Sequence, residues 1–217
     1  MSGTAQVEAA SRAAGRDVRP TPRKAATRRR LLDAARVVFA ERGIAVATVE
    51  EICEQAGFTR GAFYSNFTDK EQLLAELLVR EDERLVGRLS EATQEPARSI
   101  EDMSVVLDRF LASQPVDREY YLIQTELALY TIREHPSSAL FADAHTRFKR
   151  QLGTFVDKLL GDLGRELAVS ADDALDTLLA VFERSNRRAL LARDEAGMDD
   201  LTRAVLPRLL LALSRPR

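Results

Sequence analysis

The sequence predicts an all-α protein with a small N-terminal domain and a larger C-terminal helical domain. Apolar residues recur at helical spacing along most of the 217 residues, and no stretch shows the apolar–polar alternation of a half-exposed strand. Helix-capping residues and glycines stand at the breaks between the periodic segments. We expect an N-terminal arm over residues 1–21, a three-helix domain over residues 22–68 and a helical domain over residues 69–217.

The composition is that of an ordinary globular protein, with 45% apolar and 30% charged residues. No apolar run reaches the length of a membrane-spanning helix, and the N-terminal residues lack the apolar region of a secretory signal. A single cysteine, Cys53, excludes an internal disulfide framework and an all-cysteine metal site. We therefore expect a cytoplasmic protein with no membrane contact, no metal and no other cofactor.

Charge is divided unevenly along the chain, although the formal net charge is only −2. Residues 1–70 hold 12 Lys and Arg against 8 Asp and Glu, whereas residues 71–217 hold 20 against 26. A basic N-terminal part beside an acidic remainder is typical of a protein whose N-terminal part contacts nucleic acid.

The first 21 residues are rich in Ala, Ser, Gly and Arg and show no apolar periodicity, which predicts a disordered arm. Arg12, Arg16 and Arg19 would suit a DNA backbone or a minor groove. A flexible solubilising tail explains the same composition and is the more common kind of terminus.

The first helix is expected over residues 22–42 and should end at Gly43. Its buried face would carry Leu31, Leu32, Ala35, Val38 and Phe39. Basic side chains crowd its first turns, namely Arg23, Lys24, Arg28, Arg29 and Arg30. Because the helix dipole disfavours cations there, a nearby phosphate would offset the cost, although a solvated basic face is also compatible with these charges.

A second helix should begin after Thr48, because Thr48 and Glu51 have the spacing of a capping box. An apolar stripe follows at helical spacing as far as Ala56, and it includes Cys53, which we expect to be a buried small hydrophobe rather than a reactive thiol. Gly57 supplies the left-handed residue that ends this helix.

A third helix, capped by Thr59, should run from Arg60 to about Asn66. Two helices joined by such a short turn form a helix-turn-helix, whose second helix enters the major groove of DNA. With Ala62, Phe63 and Phe67 packed inward, small and polar residues would face outward: Arg60, Gly61, Tyr64, Ser65 and Asn66. Such groups suit hydrogen bonds to base edges and phosphates.

The segment RRRLLDAARVVFAERGIAVATVEEICEQAGFTRGAFYSNFTDKEQLL resembles the N-terminal DNA-binding domain of the tetracycline-repressor (TetR) family. The resemblance covers roughly residues 25–78, and the family signature G-x-[LF]-Y-x-[HN]-F stands here as GAFYSNF over residues 61–67. Ser65 replaces the second aromatic residue that is common in that signature. Lys70 resembles the family's phosphate-contacting lysine. Together with the pattern, the resemblance implies a DNA-binding set of Arg28, Thr48, Thr59, Arg60, Gly61, Ala62, Tyr64, Ser65, Asn66 and Lys70.

A fourth helix, from Asp69 to about Thr93, would join the two domains as a stiff rod, because no flexible linker interrupts its leucine stripe. Further helices are expected near residues 99–113, 117–134, 137–163, 171–194 and 199–214. The last two carry broad apolar faces, and in the family such helices form a homodimeric four-helix bundle. The expected interface is Leu175, Leu178, Phe182, Leu201, Val205 and Leu209, although burial inside one subunit also explains these faces.

A small-molecule pocket in the C-terminal domain is implied by the resemblance. The segment Tyr120–Tyr130 supplies tyrosines and polar groups, and neighbouring helices supply phenylalanines. The expected ligand-binding residues are Phe110, Tyr121, Gln124, Thr125, Phe148 and Phe182. An aromatic stripe of this kind is also typical of an ordinary core.

These expectations describe a ligand-responsive transcriptional regulator, in the first place a repressor, that binds a palindromic operator in double-stranded DNA as a homodimer. A ligand-activated DNA binder is the alternative with the same fold. An enzyme on a helical core fits poorly, because His135 and His145 have no metal-ligand spacing with each other or with Cys53. A DNA-packing protein would be basic throughout, which the acidic C-terminal part contradicts.

Overall fold

The computed structural model describes residues 21–112, 117–133, 138–192 and 200–217. Within these ranges the elements are α1 Pro22–Arg42, α2 Val49–Ala56, α3 Arg60–Tyr64, α4 Lys70–Ala92, α5 Ile100–Ala112, α6 Arg118–Ile132, α7 Ser138–Asp162, β1 Arg165–Leu167, α8 Ala171–Ala192, α9 Asp200–Ala212 and β2 Ser214–Pro216. The predicted all-α class is confirmed. The predicted arm lies outside the described residues except for its last position, Thr21.

The ends of the first helix follow from local chemistry. The Thr21 hydroxyl accepts a hydrogen bond from the Lys24 amide at 3.3 Å, and Pro22 occupies the first turn, where its missing N–H costs nothing. Gly43 ends α1 with a φ of 84°, which a side chain would strain.

Two hydrophobic cores divide the molecule. The N-terminal core joins apolar side chains of α1, α2, α3 and the first half of α4, and it also takes in Ile123 and Tyr130 of α6 and Phe141 of α7. The C-terminal core joins the second half of α4 to α5, α7, α8 and α9. The predicted boundary at residue 68 therefore falls just before a helix that contributes to both cores.

Helix α4 is the structural link between the two cores. Its 23 residues correspond to a length of about 34 Å at 1.5 Å per residue. Leu73 and Leu77 are buried in the N-terminal core, whereas Leu85 and Leu89 are buried in the C-terminal core. Helix α4 is therefore packed into both cores along its length.

The two short strands are an addition that the sequence did not predict. β1 and β2 pair antiparallel, with Arg165 opposite Pro216 and Leu167 opposite Ser214. The Arg165 side chain reinforces the pair by donating to the Ser214 hydroxyl at 2.8 Å and to the Ser214 carbonyl at 2.7 Å. Three residues are too few to show an alternating pattern, and the pairing joins segments about 50 residues apart.

Candidate nucleic-acid interface and apolar cavity

Helix α2 begins with a reciprocal capping box and ends with a left-handed glycine. The Thr48 hydroxyl accepts from the Glu51 amide at 3.2 Å, and the Thr48 amide donates to the Glu51 carboxylate at 3.0 Å. These bonds hold the pKa of Glu51 below its usual range. Gly57 ends α2 with φ 67° and ψ 38°, which turns the chain toward α3.

Helix α3 packs one face into the N-terminal core and exposes the opposite face. Phe63 and Phe67 are buried in the N-terminal core, with their ring centroids 5.7 Å apart. The hydroxyl of Thr59 caps the helix by accepting from the Ala62 amide at 3.3 Å. Arg60, Gly61, Tyr64 and Ser65 are exposed, and Ala62 is half-buried. The five-residue helix therefore offers a narrow polar face that no other described element covers.

Arg60 is held on two sides at the start of this face. Its Nη1 lies 2.8 Å from Oε1 of Glu50 on α2, and its guanidinium carbon lies 5.9 Å from the centre of the Tyr64 ring. A hydrogen bond with Tyr64 and the charge of Glu50 raise the pKa of Arg60 above its usual value. Sequence reasoning missed this Glu50 contact, because it joins two helices.

Ser65 and Asn66 terminate α3 instead of extending it. The Ser65 hydroxyl donates to the Gly61 carbonyl and the Asn66 amide donates to the Ala62 carbonyl, both at 2.7 Å. The helix ends at Tyr64, two residues before the predicted end near Asn66. Because the Asn66 amide nitrogen is bonded to the Ala62 carbonyl and the amide oxygen is buried, the geometry does not support the expected base contact.

Arg28 is the first of two expected DNA contacts that the structure turns inward. Its guanidinium donates to both carboxylate oxygens of Glu76 and to the Asn66 carbonyl, and it lies 4.4 Å from the centre of the Phe67 ring. These contacts tie α1 to the end of α3 and to α4. The side chain positions the helix-turn-helix, and this geometry does not support the expected DNA contact.

Lys70 is the second expected DNA contact whose side chain the structure turns inward. Its ammonium donates to the carbonyl oxygens of Ile44 at 2.8 Å, Ala47 at 2.9 Å and Ala45 at 3.4 Å. An ammonium group has three donors, and all three are engaged here. The expected phosphate contact is therefore not supported, since the lysine closes the turn that leads into α2.

The basic residues at the start of α1 divide into two groups. Arg30 donates to the Ala56 carbonyl at 2.8 Å and stacks 4.6 Å from the centre of the Phe58 ring, so it caps the end of α2. Arg23, Lys24 and Arg29 are exposed. The buried Cys53 lies beneath this surface, and burial raises the pKa of its thiol.

The C-terminal core contains a partly open apolar cavity of about 80 Å³. It lies between α4, α5, α7, α8 and α9, and its lining is entirely Leu, Phe and Val: Leu85, Leu89, Leu107, Phe110, Leu152, Phe155, Val156, Leu159, Leu178, Leu179, Phe182, Leu206 and Leu210. The rings of Phe110 and Phe182 stand 6.3 Å apart between centroids.

Only two of the expected ligand-binding residues, Phe110 and Phe182, line this cavity. Phe148 is buried in the same core without reaching it. Tyr121, Gln124 and Thr125 belong to α6, which packs on the N-terminal core, and the Thr125 hydroxyl is engaged by the Tyr121 carbonyl at 2.9 Å. The structure therefore does not bring the six residues together.

The residues expected at the dimer interface do not share one environment in the protomer. Leu175 is only 3% exposed within its own protomer, and Leu178 and Phe182 line the cavity. Leu175 therefore cannot face a partner, because its surface is already used in the C-terminal core. Val205 and Leu209 of α9 remain half-buried, and the side chain of Leu201 lies outside the described residues.

An ionic cluster connects α6 to α1 and to α4. Arg36 of α1 pairs with Asp117, with Glu119 at 2.5 Å and with Glu81 of α4 at 3.8 Å. Nearby, the Tyr130 hydroxyl donates to the Glu71 carboxylate at 3.3 Å. Contacts between α1, α4 and α6 therefore include charged as well as apolar groups.

Asp82 lies buried beside this cluster. Burial and the neighbouring Glu81 carboxylate raise the pKa of Asp82 to about 7, although the Tyr120 hydroxyl and Arg147 act in the opposite direction.

The described residues contain no group of three or more His, Cys, Asp or Glu arranged to hold a metal ion. No helix in the described ranges is both long and apolar enough to span a membrane.

Comparison with known proteins assigns the N-terminal part to a family. The profile of "Bacterial regulatory proteins, tetR family" matches residues 31–77. The transcriptional regulator UidR of Escherichia coli K12 is 35% identical over 65 residues, which are 30% of this chain and 33% of UidR. The transcriptional repressor KstR2 of Mycolicibacterium smegmatis is 30% identical over 143 residues, which are 64% of this chain and 66% of KstR2. The chain thus matches about a third of UidR and just under two thirds of KstR2.

Solved structures share the architecture over nearly the whole chain. GusR of Salmonella enterica aligns with a TM-score of 0.66 at 18% identity, covering 92% of this chain and 98% of GusR. FadR of Bacillus subtilis, in complex with stearoyl-CoA, aligns with a TM-score of 0.62 at 20% identity, covering 85% of this chain and 96% of FadR. At these identities the likeness establishes the fold. The profile match and the curated relatives, together with the helix-turn-helix geometry, show that the chain belongs to the TetR family of bacterial regulatory proteins.

Proposed function

We propose that the chain is a ligand-responsive, sequence-specific transcriptional regulator, a repressor that binds a palindromic operator as a homodimer in the cytoplasm. The exposed face of α3 is the observation that carries this proposal. Phe63 anchors the helix in the N-terminal core, while Arg60 and Tyr64 are exposed, with the Tyr64 ring in edge contact with Phe63. An arginine and a tyrosine on such a helix provide the donors and the stacking surface that a major groove accepts.

Exposed cations of α1 would supply the electrostatic part of the proposed interface. Arg23, Lys24 and Arg29 extend from the start of α1, and Arg42 ends the same helix with 63% of its side chain exposed. Contacts to phosphates would fix the register of α3 without reading sequence. Thr48, Thr59 and Ser65 are exposed at the same surface and are proposed to contact the backbone or base edges.

The proposal of a homodimer follows from the small size of the exposed face of α3. One five-residue helix reads too few base pairs for specificity, whereas a symmetric pair reads two half-sites about one helical turn apart. We propose α8 and α9 as the pairing helices. Val205 and Leu209 support this assignment, because both keep part of their apolar surface uncovered in the protomer.

The apolar cavity is the proposed effector site. Its lining has no polar side chain, so the buried part of an effector must be apolar, such as an aliphatic chain or an uncharged hydrophobic ring system. The fold shared with FadR, whose structure contains stearoyl-CoA, makes an acyl chain a specific form of this proposal.

Entry of an effector requires the cavity to expand. Its volume of about 80 Å³ is well below the roughly 150 Å³ that accommodates benzene in an engineered protein cavity. Leu85 and Leu89 of α4 form part of the wall, so expansion would displace α4. Because the other end of α4 is embedded in the N-terminal core, α3 would move with it, and the bound and free conformations would differ in the spacing of the two α3 helices.

Binding of purified protein to an operator duplex tests these points together. We expect two chains per duplex by light scattering, and a weaker affinity for DNA when palmitate is added. One chain per duplex would contradict the homodimer. Tighter DNA binding in the presence of palmitate would identify a ligand-activated DNA binder instead of a repressor.

A further inference from the structure

Glu50 on α2 and Arg60 on α3 form an ion pair on the open side of the helix-turn-helix. The two side chains are 55% and 62% exposed, with Nη1 and Oε1 2.8 Å apart. Ion pairs this exposed contribute little to stability, so this pair has little effect on the fold. Its position, beside the arginine at the start of the exposed face, points to a role in what Arg60 contacts.

The pair restricts the conformations of the Arg60 side chain but leaves most of its hydrogen-bond donors unused. Glu50 accepts from Nη1, and Tyr64 also forms a hydrogen bond with the guanidinium, whose carbon lies 5.9 Å from the centre of the Tyr64 ring. A guanidinium carries five N–H donors, so enough remain for the two parallel bonds by which arginine reads O6 and N7 of guanine. An arginine held in this way loses less rotamer freedom on binding than an unrestrained one.

The same carboxylate disfavours the alternative use of Arg60. An unrestrained arginine at a DNA surface readily contacts phosphates, and such contacts carry no sequence information. A carboxylate next to the guanidinium reduces the local positive potential and is itself repelled by phosphates. Arg60 therefore gains less from a phosphate than from a base edge.

We propose that Glu50 is a positioning residue for sequence recognition, which orients Arg60 toward a base edge and discourages its use as a general phosphate contact. The inference rests on the proposed function, because it assigns a role within sequence-specific DNA binding. It adds a residue of α2 that the expected DNA-binding set does not contain.

A matched substitution on the same helix tests this role. Glu54 is also exposed on α2 and forms no ion pair with any residue in the described ranges, so Glu54→Ala removes the same charge without altering Arg60. The experiment measures Kd on the preferred operator and on operators changed at single base pairs, at fixed salt. Arg60→Ala first identifies the base pair that Arg60 reads.

Glu50→Ala should reduce discrimination at that base pair by about three- to tenfold, the effect expected from restoring freedom to one long side chain. Glu54→Ala should leave discrimination unchanged, although both variants should bind unrelated DNA somewhat more tightly. Combined with Arg60→Ala, Glu50→Ala should have no further effect at that base pair. Glu50→Gln, which keeps an acceptor, should be intermediate.

Equal discrimination in Glu50→Ala and Glu54→Ala, with a base pair assigned to Arg60, would overturn the inference while leaving the proposed function intact. Thermal unfolding of each variant separates altered recognition from altered folding. If the unchanged protein preferred no sequence, or if Arg60→Ala relaxed no base pair, the proposed role of α3 itself would fail, and the inference with it.

Discussion

The ammonium group of Lys70 lies 2.8 Å from the carbonyl oxygen of Ile44, which precedes it by 26 residues. Two further carbonyls in the same turn, those of Ala45 and Ala47, complete its hydrogen bonding. The lysine thereby fixes the turn from which α2 begins. The likeness to a phosphate-contacting lysine is thus one of sequence position, and the contact seen here is internal.

Replacing this lysine should destabilise the N-terminal domain. Lys70→Met keeps the aliphatic chain but leaves three carbonyl oxygens without their donor, and we expect a loss of about 1–3 kcal/mol in the free energy of unfolding. Urea denaturation measures the change, with Lys24→Met as the exposed control. If stability stayed the same while the salt dependence of DNA binding weakened, Lys70 would be a phosphate contact after all.

Arg28 and Arg29 are neighbours on α1 with opposite environments, and their substitutions should have opposite effects. Arg28→Met breaks the contacts with Glu76 and Asn66, so unfolding should become easier by about 1.5–3 kcal/mol. Arg29→Met should leave stability unchanged and lower the slope of log K against log salt by about 0.9 for one phosphate contact. Equal losses of stability from the two substitutions would contradict the assignment.

The raised pKa of Asp82 predicts a pH-dependent stability. In the unfolded chain the carboxyl ionises near its ordinary value of 3.8, whereas in the folded protein it ionises at about 7. The stabilisation from the neutral form is therefore complete below pH 4 and is lost as the pH rises toward 7, because the folded protein then holds an ionised buried group.

Asp82→Asn should remove this dependence. We expect the variant to match the unchanged protein near pH 4 and to exceed its stability at pH 8 by a few kcal/mol at most, since about 1.4 kcal/mol corresponds to each pKa unit. Denaturation at a series of pH values provides the comparison. A stability difference that does not grow between pH 4 and 7 would show that Asp82 ionises normally.

Filling the cavity should abolish binding of an apolar probe. Leu179 lines the cavity on α8, whereas Leu191 on the same helix is 77% exposed. Leu179→Trp should prevent the uncharged dye Nile red from binding, and Leu191→Trp should not, as followed by dye fluorescence. Unchanged dye binding in Leu179→Trp would place the apolar site elsewhere.

The sequence predicted most of the helix boundaries because the signals that set them are local. Thr48, Glu51 and Gly57 act within a few residues of one another, and the structure shows the capping box and the left-handed glycine where the pattern indicated them. The apolar stripes also identified Phe63 and Phe67 as buried residues. Such features depend on the chain close to each residue.

The roles of individual polar residues depended on distant partners and were predicted less well. Arg28 meets Glu76, which lies 48 residues away, and no local pattern distinguishes it from the exposed Arg29. Leu175 belongs to an apolar face that could pack either on a partner subunit or in the protomer's own core. In the structure α8 packs against α7, and Leu175 is buried in the C-terminal core. The apolar cavity is lined by five helices, and local sequence patterns do not predict how those helices pack against one another.

The central claim, that α3 reads DNA through Arg60, is tested most directly by selecting genomic DNA fragments with the purified protein at physiological salt. The unchanged protein should recover one palindromic motif, and Arg60→Ala should recover the same motif with one symmetric pair of positions relaxed. Recovery of no motif, or of an identical motif by both proteins, would contradict the claim.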